Sequence, residues 1–475
     1  MSHPASDELP LAWRSLWAMV VGFFMILVDS TIVTVATPTI MRELGANVTS
    51  VVWVTSAYLL AYAVPLLITG RLGDRFGPKR VYLIGLVVFT LASLGCGLTT
   101  TVELLIAARV VQGLGAALMT PQTMTVITRV FPPHQRGMAM AVWGATAGLA
   151  MLIGPMLGGL LIGVLGWEWI FFINIPIGVA GYVAAKRLVP DLEQHAHRFD
   201  WLGVVLSGIG LFCVVFGLQE ASTHDWGVIV GPVSVGSLLV VGACFLVAFV
   251  VWQWFNPNEP LMPLKLFGDR NFSVANLAIA LVGVTSVATP YPLMIWAQQA
   301  RGLSPLFAAL VNAPSAVVTL IVAKWSGQLV NRVHPRYLTV TGGLVWASSL
   351  LAAGHFLDTT TPVWVPVVLL TFTGVASSLV FGPLSTAATA NLPATYAGAG
   401  SGVYNATRQV GSVLGSALVA TVMGTLLAAT KTNDNQTPDG IASAMSGTLL
   451  LPTVSIFAVA VIACFLERPK HQRRN

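Results

Sequence analysis

Charge is scarce in this sequence. Only 9% of its 475 residues are Asp, Glu, Lys or Arg, against about 25% in an ordinary soluble domain. So few ionic side chains cannot cover a water-facing surface of this size. A soluble enzyme, a disordered chain and a nucleic-acid binder are thereby excluded. Cysteine is scarce too. Cys96, Cys213, Cys244 and Cys464 stand singly in apolar runs, without the close spacing of a metal site or redox pair. They read as lipid- or core-facing thiols. The histidines are scattered and offer no metal-ligand frame. No glycine-rich phosphate loop ending in Gly-Lys-Ser/Thr is present, so the chain is not expected to hydrolyse ATP. No metal, cofactor, Ser/His/Asp or Cys/His arrangement is predicted, and no enzyme activity.

What the sequence has instead is apolar length: 55% of it is hydrophobic and its mean hydropathy is +0.79. A bilayer core of ~30 Å needs about 20 apolar residues in a helix. Fourteen such runs occur, near 16–40, 51–70, 81–99, 103–127, 137–164, 168–186, 201–219, 227–251, 272–297, 304–325, 337–355, 363–383, 396–428 and 446–466. They are too long for barrel strands. The first is too long for a signal-peptide core and reads as the first membrane span. The 45 glycines and 27 prolines of the whole chain would break soluble helices, but membrane helices tolerate them and use them for close packing. The fold class is therefore an all-α polytopic membrane protein.

Lys and Arg set the orientation. With both termini placed in the cytoplasm, 19 basic residues fall on the cytoplasmic side and three (Arg42, Arg301, Lys431) on the other. That bias is the positive-inside pattern, and it explains the net charge of +6 as topology. Arg109 and Arg408 remain inside spans.

The chain also repeats itself. Gly70–Arg80 reads GRLGDRFGPKR and Gly327–Tyr337 reads GQLVNRVHPRY. At an offset of 257 residues they align Gly70 with Gly327, Leu72 with Leu329, Asp74 with Asn331, Arg75 with Arg332, Pro78 with Pro335 and Lys79 with Arg336. The expected organisation is a six-helix bundle over 1–190, two inserted helices over 191–260 and a second six-helix bundle over 261–475. Paired repeats around a central cavity are a secondary-transporter architecture.

These motifs resemble the major facilitator superfamily, and within it the fourteen-span drug:proton antiporters. Gly70–Arg80 resembles the signature between spans two and three. Leu105–Leu118, LIAARVVQGLGAAL, resembles that of span four. Gly144–Gly159, GATAGLAMLIGPMLGG, resembles the antiporter signature of span five. Leu27–Ile40 and Trp167–Gly178 resemble further signatures of the fourteen-span branch, with Glu168 standing where that branch usually has a base. The resemblance implies a multi-pass cell-membrane protein that exports lipophilic, neutral or cationic small molecules in exchange for protons by alternating access. Its partners would be a small-molecule substrate, protons and membrane lipid. Export of an endogenous lipid, siderophore or metabolite is the alternative, and a non-transporting receptor or scaffold is a third.

Asp29 is the only acidic residue well inside a span. A carboxylate there costs roughly 2.5–3.5 kcal/mol on insertion scales and has a task by default. Proton carriage is expected of it, with a structural ion pair to Arg109 or Arg408 as the plain alternative. Arg109 cannot deprotonate, so it would tune a carrier, with Gln112 one helical turn along; the resemblance also assigns proton coupling to Arg109. Gly154, Pro155, Gly158 and Gly159 predict a tight, bending interface in span five. Gly70, Asp74, Arg75 and Arg80 predict a gating loop, with Asp74 facing the amino end of span thirteen near Gly398 and Gly400. Phe24, Tyr58, Tyr62, Trp143, Trp296 and Tyr404 are candidate cavity-lining aromatics. Asn405, Arg408, Gln409 and Ser412 form one polar stripe on span thirteen, either lining the cavity or holding helices together.

Overall fold

The computed structural model describes residues 8–192, 200–221, 223–256, 260–329, 332–392, 397–430 and 436–467. These are almost wholly helical. The first repeat holds α1 (Glu8–Glu43), α2 (Val48–Ala63), α3 (Leu66–Phe76), α4 (Pro78–Gly97), α5 (Val102–Val130), α6 (Pro133–Val164), α7 (Trp169–Phe172) and α8 (Asn174–Leu188). The insertion holds α9 (Trp201–Glu220) and α10 (Val235–Phe255). The second repeat holds α11 (Arg270–Ala288), α12 (Pro290–Ile295), a π-helical turn (Trp296–Ala300), α13 (Pro305–Leu310), α14 (Ala313–Leu329), α15 (Pro335–His355), α16 (Trp364–Thr389), α17 (Ala397–Ala429), α18 (Pro438–Thr448) and α19 (Leu450–Ala463).

The same neighbours recur in both repeats. α5 packs on α4 and α2, α6 on α1, and α8 on α4 and α1. Correspondingly, α16 packs on α15 and α14, α17 on α11, and α19 on α15 and α11. Missing side chains set some of these crossings. A β-carbon on Gly411 would lie 2.0 Å from the Ala280 carbonyl oxygen, and one on Gly415 would lie 2.6 Å from Val284 Cα. α17 therefore meets α11 backbone to backbone, the close approach that small residues permit in lipid.

Against fourteen apolar runs in the sequence, twelve helical stretches of the described residues are long and apolar enough to cross a membrane. Val48–Ala63 and Ile153–Val164 are apolar but shorter. Several runs are not single helices. Pro65 parts α2 from α3, Pro290 starts α12, and Pro452 follows the break at Leu449 that parts α18 from α19. Proline removes a backbone donor and interrupts the ladder at each place. Pro38 and Pro155 lie inside α1 and α6, which continue through them.

Two expectations are corrected. Residues 70–80 are not a loop. α3 continues to Phe76, and α4 starts at Pro78 after the single residue Gly77 at φ 89°. Glycine takes that left-handed φ without strain, and proline suits the first helical turn. The eighth run does not begin as a helix either. Val228–Val230 pairs antiparallel with Val233–Ser234, and Ser234 then closes a capping box on α10 with Ser237.

Candidate functional site

The apolar packing of the first repeat encloses one charged cluster. Asp29 of α1 and Arg109 of α5 are both fully buried and form an ion pair through Oδ2 and Nη1. Gln112 Nε2 donates to Asp29 Oδ1 at 2.9 Å, and Asn174 Nδ2 donates to the same oxygen at 3.0 Å. Ser93 Oγ accepts from Gln112 at 3.1 Å and from Asn174 at 2.9 Å, and donates to the Phe171 carbonyl at 3.1 Å. Arg109, Gln112 and Asn174 all donate to Asp29, which is the pattern around an ionised carboxylate. Helices α1, α4 and α8 each contribute one polar member, and α5 contributes two, Arg109 and Gln112.

Arg109 also reaches the seam between the repeats. Its Nε donates to the Val54 carbonyl of α2 at 3.1 Å, and its Nη1 to Gln112 Oε1 at 2.6 Å. Its guanidinium lies 4.0 Å from the centre of the Tyr58 ring, also on α2, within cation–π reach. Arg109 Nη2 and the Tyr58 hydroxyl are buried without a hydrogen-bond partner. On the opposite face of α2, midway between Val54 and Tyr58, Ser56 donates to Ser416 Oγ of α17 at 2.8 Å and accepts from Gln219 of the inserted helix α9. Thr421 of α17 donates to the Leu218 carbonyl, and Trp53 Nε1 to Glu220 Oε1 at 3.1 Å. The charged cluster, α2, α17 and α9 thus share one chain of contacts.

The span-five glycines divide between two faces of α6. β-carbons on Gly154 and Gly158 would lie 2.1 Å from Thr31 Oγ1 and 2.7 Å from Ile32 Cγ1 of α1. One on Gly159 would lie 2.6 Å from Leu306 Cα of α13, in the other repeat. Gln298 Nε2, donating to the Val35 carbonyl at 3.0 Å, is a second tie between the repeats nearby.

The other predicted residues scatter. Gly70 has only an ordinary contact, 3.7 Å from Pro121 Cβ. The close approach belongs to Gly73, where a β-carbon would lie 1.8 Å from Gln122 Oε1. Arg75 and Arg80 are exposed. The Asp74 side chain lies outside the described residues; at its expected partner, the amino end of α17, a β-carbon on Gly400 would lie 2.3 Å from Leu392 Cδ1, and α3 and α17 touch. Tyr62 is buried and donates to Thr120 Oγ1 at 3.1 Å. Phe24 is half-buried, and Trp143 stacks on Phe23 at 4.5 Å. Trp296 is fully buried, and its indole N–H is taken by the Asp358 carbonyl at 3.0 Å, which makes it a packing residue here. Asp358 lies beyond the helix ends, and donors on Thr361 and Thr360 pull its carboxyl down to about 2. On α17, Tyr404 is buried while Asn405 and Arg408 are half-buried.

Sequence reasoning missed Ser93, Asn174 and the seam residues Ser56, Gln219 and Ser416. Asn174 left a signal, a lone amide in the apolar run WEWIFFINIPIG. Serines in apolar helices leave none.

Apolar helices in two matching sets, with a buried acid–base pair beside their seam, define a membrane-embedded transporter. The Major Facilitator Superfamily model matches residues 19–416, and the chain belongs to that family. It is 48% identical over 473 residues to an uncharacterized MFS-type transporter of Mycobacterium tuberculosis, covering 96% of this chain and 81% of that one. It is 32% identical over 422 residues to the tetracenomycin C resistance and export protein of Streptomyces glaucescens, covering 88% and 77%. Among solved structures it is similar to a bacterial homolog of the human lysosomal transporter Spinster, with a TM-score of 0.67, 15% identity and coverage of 96% and 98%.

Proposed function

We propose that this protein is a proton-coupled antiporter that exports lipophilic small molecules across the cell membrane by alternating access. In this reading the chain crosses the membrane fourteen times, with α2–α3 and α6 counted as spans and both termini cytoplasmic. The observation that carries it is the buried Asp29–Arg109 pair, tied directly to α2 at the seam. A proton arriving at Asp29 would neutralise the acid and release Arg109 Nη1. Arg109 holds α2 through the Val54 carbonyl and the Tyr58 ring, and α2 meets α17 through Ser56. Loss of the ion pair would therefore loosen the link between the repeats. The orphaned Arg109 Nη2 and Tyr58 hydroxyl support two arrangements, since buried donors are otherwise satisfied. The export activity named for the Streptomyces relative supports the direction and the cargo class.

The test is substrate-stimulated proton movement in proteoliposomes carrying a pH-sensitive dye. Pyrenebutanol, a neutral lipophilic probe, is expected to drive proton flux with the wild-type protein and none with Asp29→Asn. Flux unchanged in that variant would overturn the role of Asp29. No flux with any lipophilic probe would overturn the antiport reading.

A further inference from the structure

The sequence places three charged groups well inside spans, and the structure treats them differently. Asp29 and Arg109 neutralise one another. Arg408 has no such partner. Among the described residues its guanidinium makes no hydrogen bond and no ion pair. It is half-buried about a third of the way along α17, inside the apolar stretch Gly402–Ala429. A permanently charged group cannot escape by losing its proton, and an unpaired one at that depth marks a substrate or ion pathway by default.

Its place on α17 is defined by its neighbours. Gly411 and Gly415 press one face of the helix against Ala280 and Val284 of α11. Ser416 turns another face to Ser56 of α2. By helical spacing Arg408 lies beside Gly415 and Ser412 on the α11 side of α17, where a β-carbon on Gly283 of α11 would lie 2.3 Å from the Arg408 carbonyl oxygen. Tyr404 precedes Arg408 by four residues on α17, so the two side chains lie one turn apart on the same side of the helix. The Tyr404 hydroxyl is buried without a partner, a second donor beside the cation. A planar guanidinium fork suits carboxylate, sulfonate and phosphate oxygens, and aromatic rings suit an apolar body.

We propose that Arg408 and the Tyr404 hydroxyl form a recognition point for the acid group of an amphipathic organic monoanion. The site rests on binding alone. That its ligand is cargo rests on the export function proposed above. Neutral or cationic cargo is what the family resemblance implies, and an acid group is a further class that the paired Asp29 carboxylate would not repel as a free anion would. With Asp29 and Arg109 cancelling, the remaining embedded charge is positive and attracts an anion.

The test uses three probes of one shape: pyrenebutyrate, pyrenebutanol and pyrenebutylammonium. Their binding to the full-length protein in phosphatidylcholine nanodiscs is measured against empty nanodiscs. The wild-type protein is expected to prefer the butyrate over the alcohol by about tenfold, the scale of a charge-assisted hydrogen bond, and to bind the ammonium weakest. Arg408→Gln is expected to erase the preference for acid over alcohol, and Arg408→Lys to keep part of it with the same fold. Tyr404→Phe is expected to weaken it severalfold. A wild-type preference for the ammonium, or an acid preference that survives Arg408→Gln, overturns the proposal. Phosphatidylglycerol in the nanodisc that displaces pyrenebutyrate only when Arg408 is present supports the site and identifies a lipid headgroup as its source of anion. Proton-driven transport of pyrenebutanol without acid preference would sink this inference and leave the antiport reading intact. Arg408-dependent binding without proton flux for any probe would do the reverse.

Discussion

The two repeats fold alike but hold their equivalent helices together with different chemistry. In the first, α2 and α5 meet around a charge: Arg109 bonds the Val54 carbonyl and pairs with Asp29. In the second, α14 and α16 meet through hydroxyls. Ser315 and Thr373 are 2.8 Å apart, Thr319 and Ser377 3.2 Å, and Ser378 donates to the Thr319 carbonyl at 3.0 Å. At the repeat offset, Asp29 corresponds to Ser286, whose hydroxyl only back-bonds to the Val282 carbonyl. One packing scheme thus accepts either a buried ion pair or a ladder of neutral hydrogen bonds. The ion pair can change state with a proton, and the hydroxyl ladder cannot. In the antiport proposed above, the first repeat would respond and the second would provide a fixed counterpart.

The difference can be broken most severely at Arg109. Arg109→Met leaves Asp29 buried and uncompensated, a loss of about 3–5 kcal/mol, readable as a large drop in the thermal midpoint in detergent. The double variant Asp29→Asn with Arg109→Met should recover much of that stability while remaining transport-dead. If the single variant is as stable as wild type, the pair does not hold the first repeat together. Where the repeats meet, Gly159→Leu forces side-chain atoms into the Leu306 backbone. It is expected to cost about 1–3 kcal/mol and to reduce cysteine crosslinking between α6 and α13; unchanged crosslinking would remove the glycine from the seam. The smallest effect belongs to the second repeat. Thr373→Val should cost about 1 kcal/mol, one neutral hydrogen bond, with proton-coupled flux retained. A Thr373→Val variant that loses coupling would erase the contrast between the repeats.

Much of this was legible in the sequence because lipid enforces it. Without water, backbone groups must be paired within helices, so apolar length marks where helices run. Asp29, Arg109 and Gln112 stood out because polar groups are costly there. Their meeting was less legible: Asp29 and Arg109 are 80 residues apart, and Asn174 lies 145 residues from Asp29. The mistaken loop at 70–80 has a local cause. Charged residues look like a loop by hydropathy, yet α3 carries them to Phe76 and only Gly77 breaks the helix. The valine-rich start of the eighth run is as apolar as a span, and periodicity alone does not separate a short hairpin from a helix turn.

By itself the amino-acid order determined that this chain lives in a membrane, in two related sets of helices with three embedded charges, because burying or exposing each side chain in lipid is a local matter. Which of those charges neutralise each other was decided only by tertiary structure. Pairing depends on which helix faces meet, and small residues such as Gly411 and Gly415 set how close they come. That packing joined Asp29 to Arg109 and left Arg408 half-buried on α17 without an ion pair among the described residues.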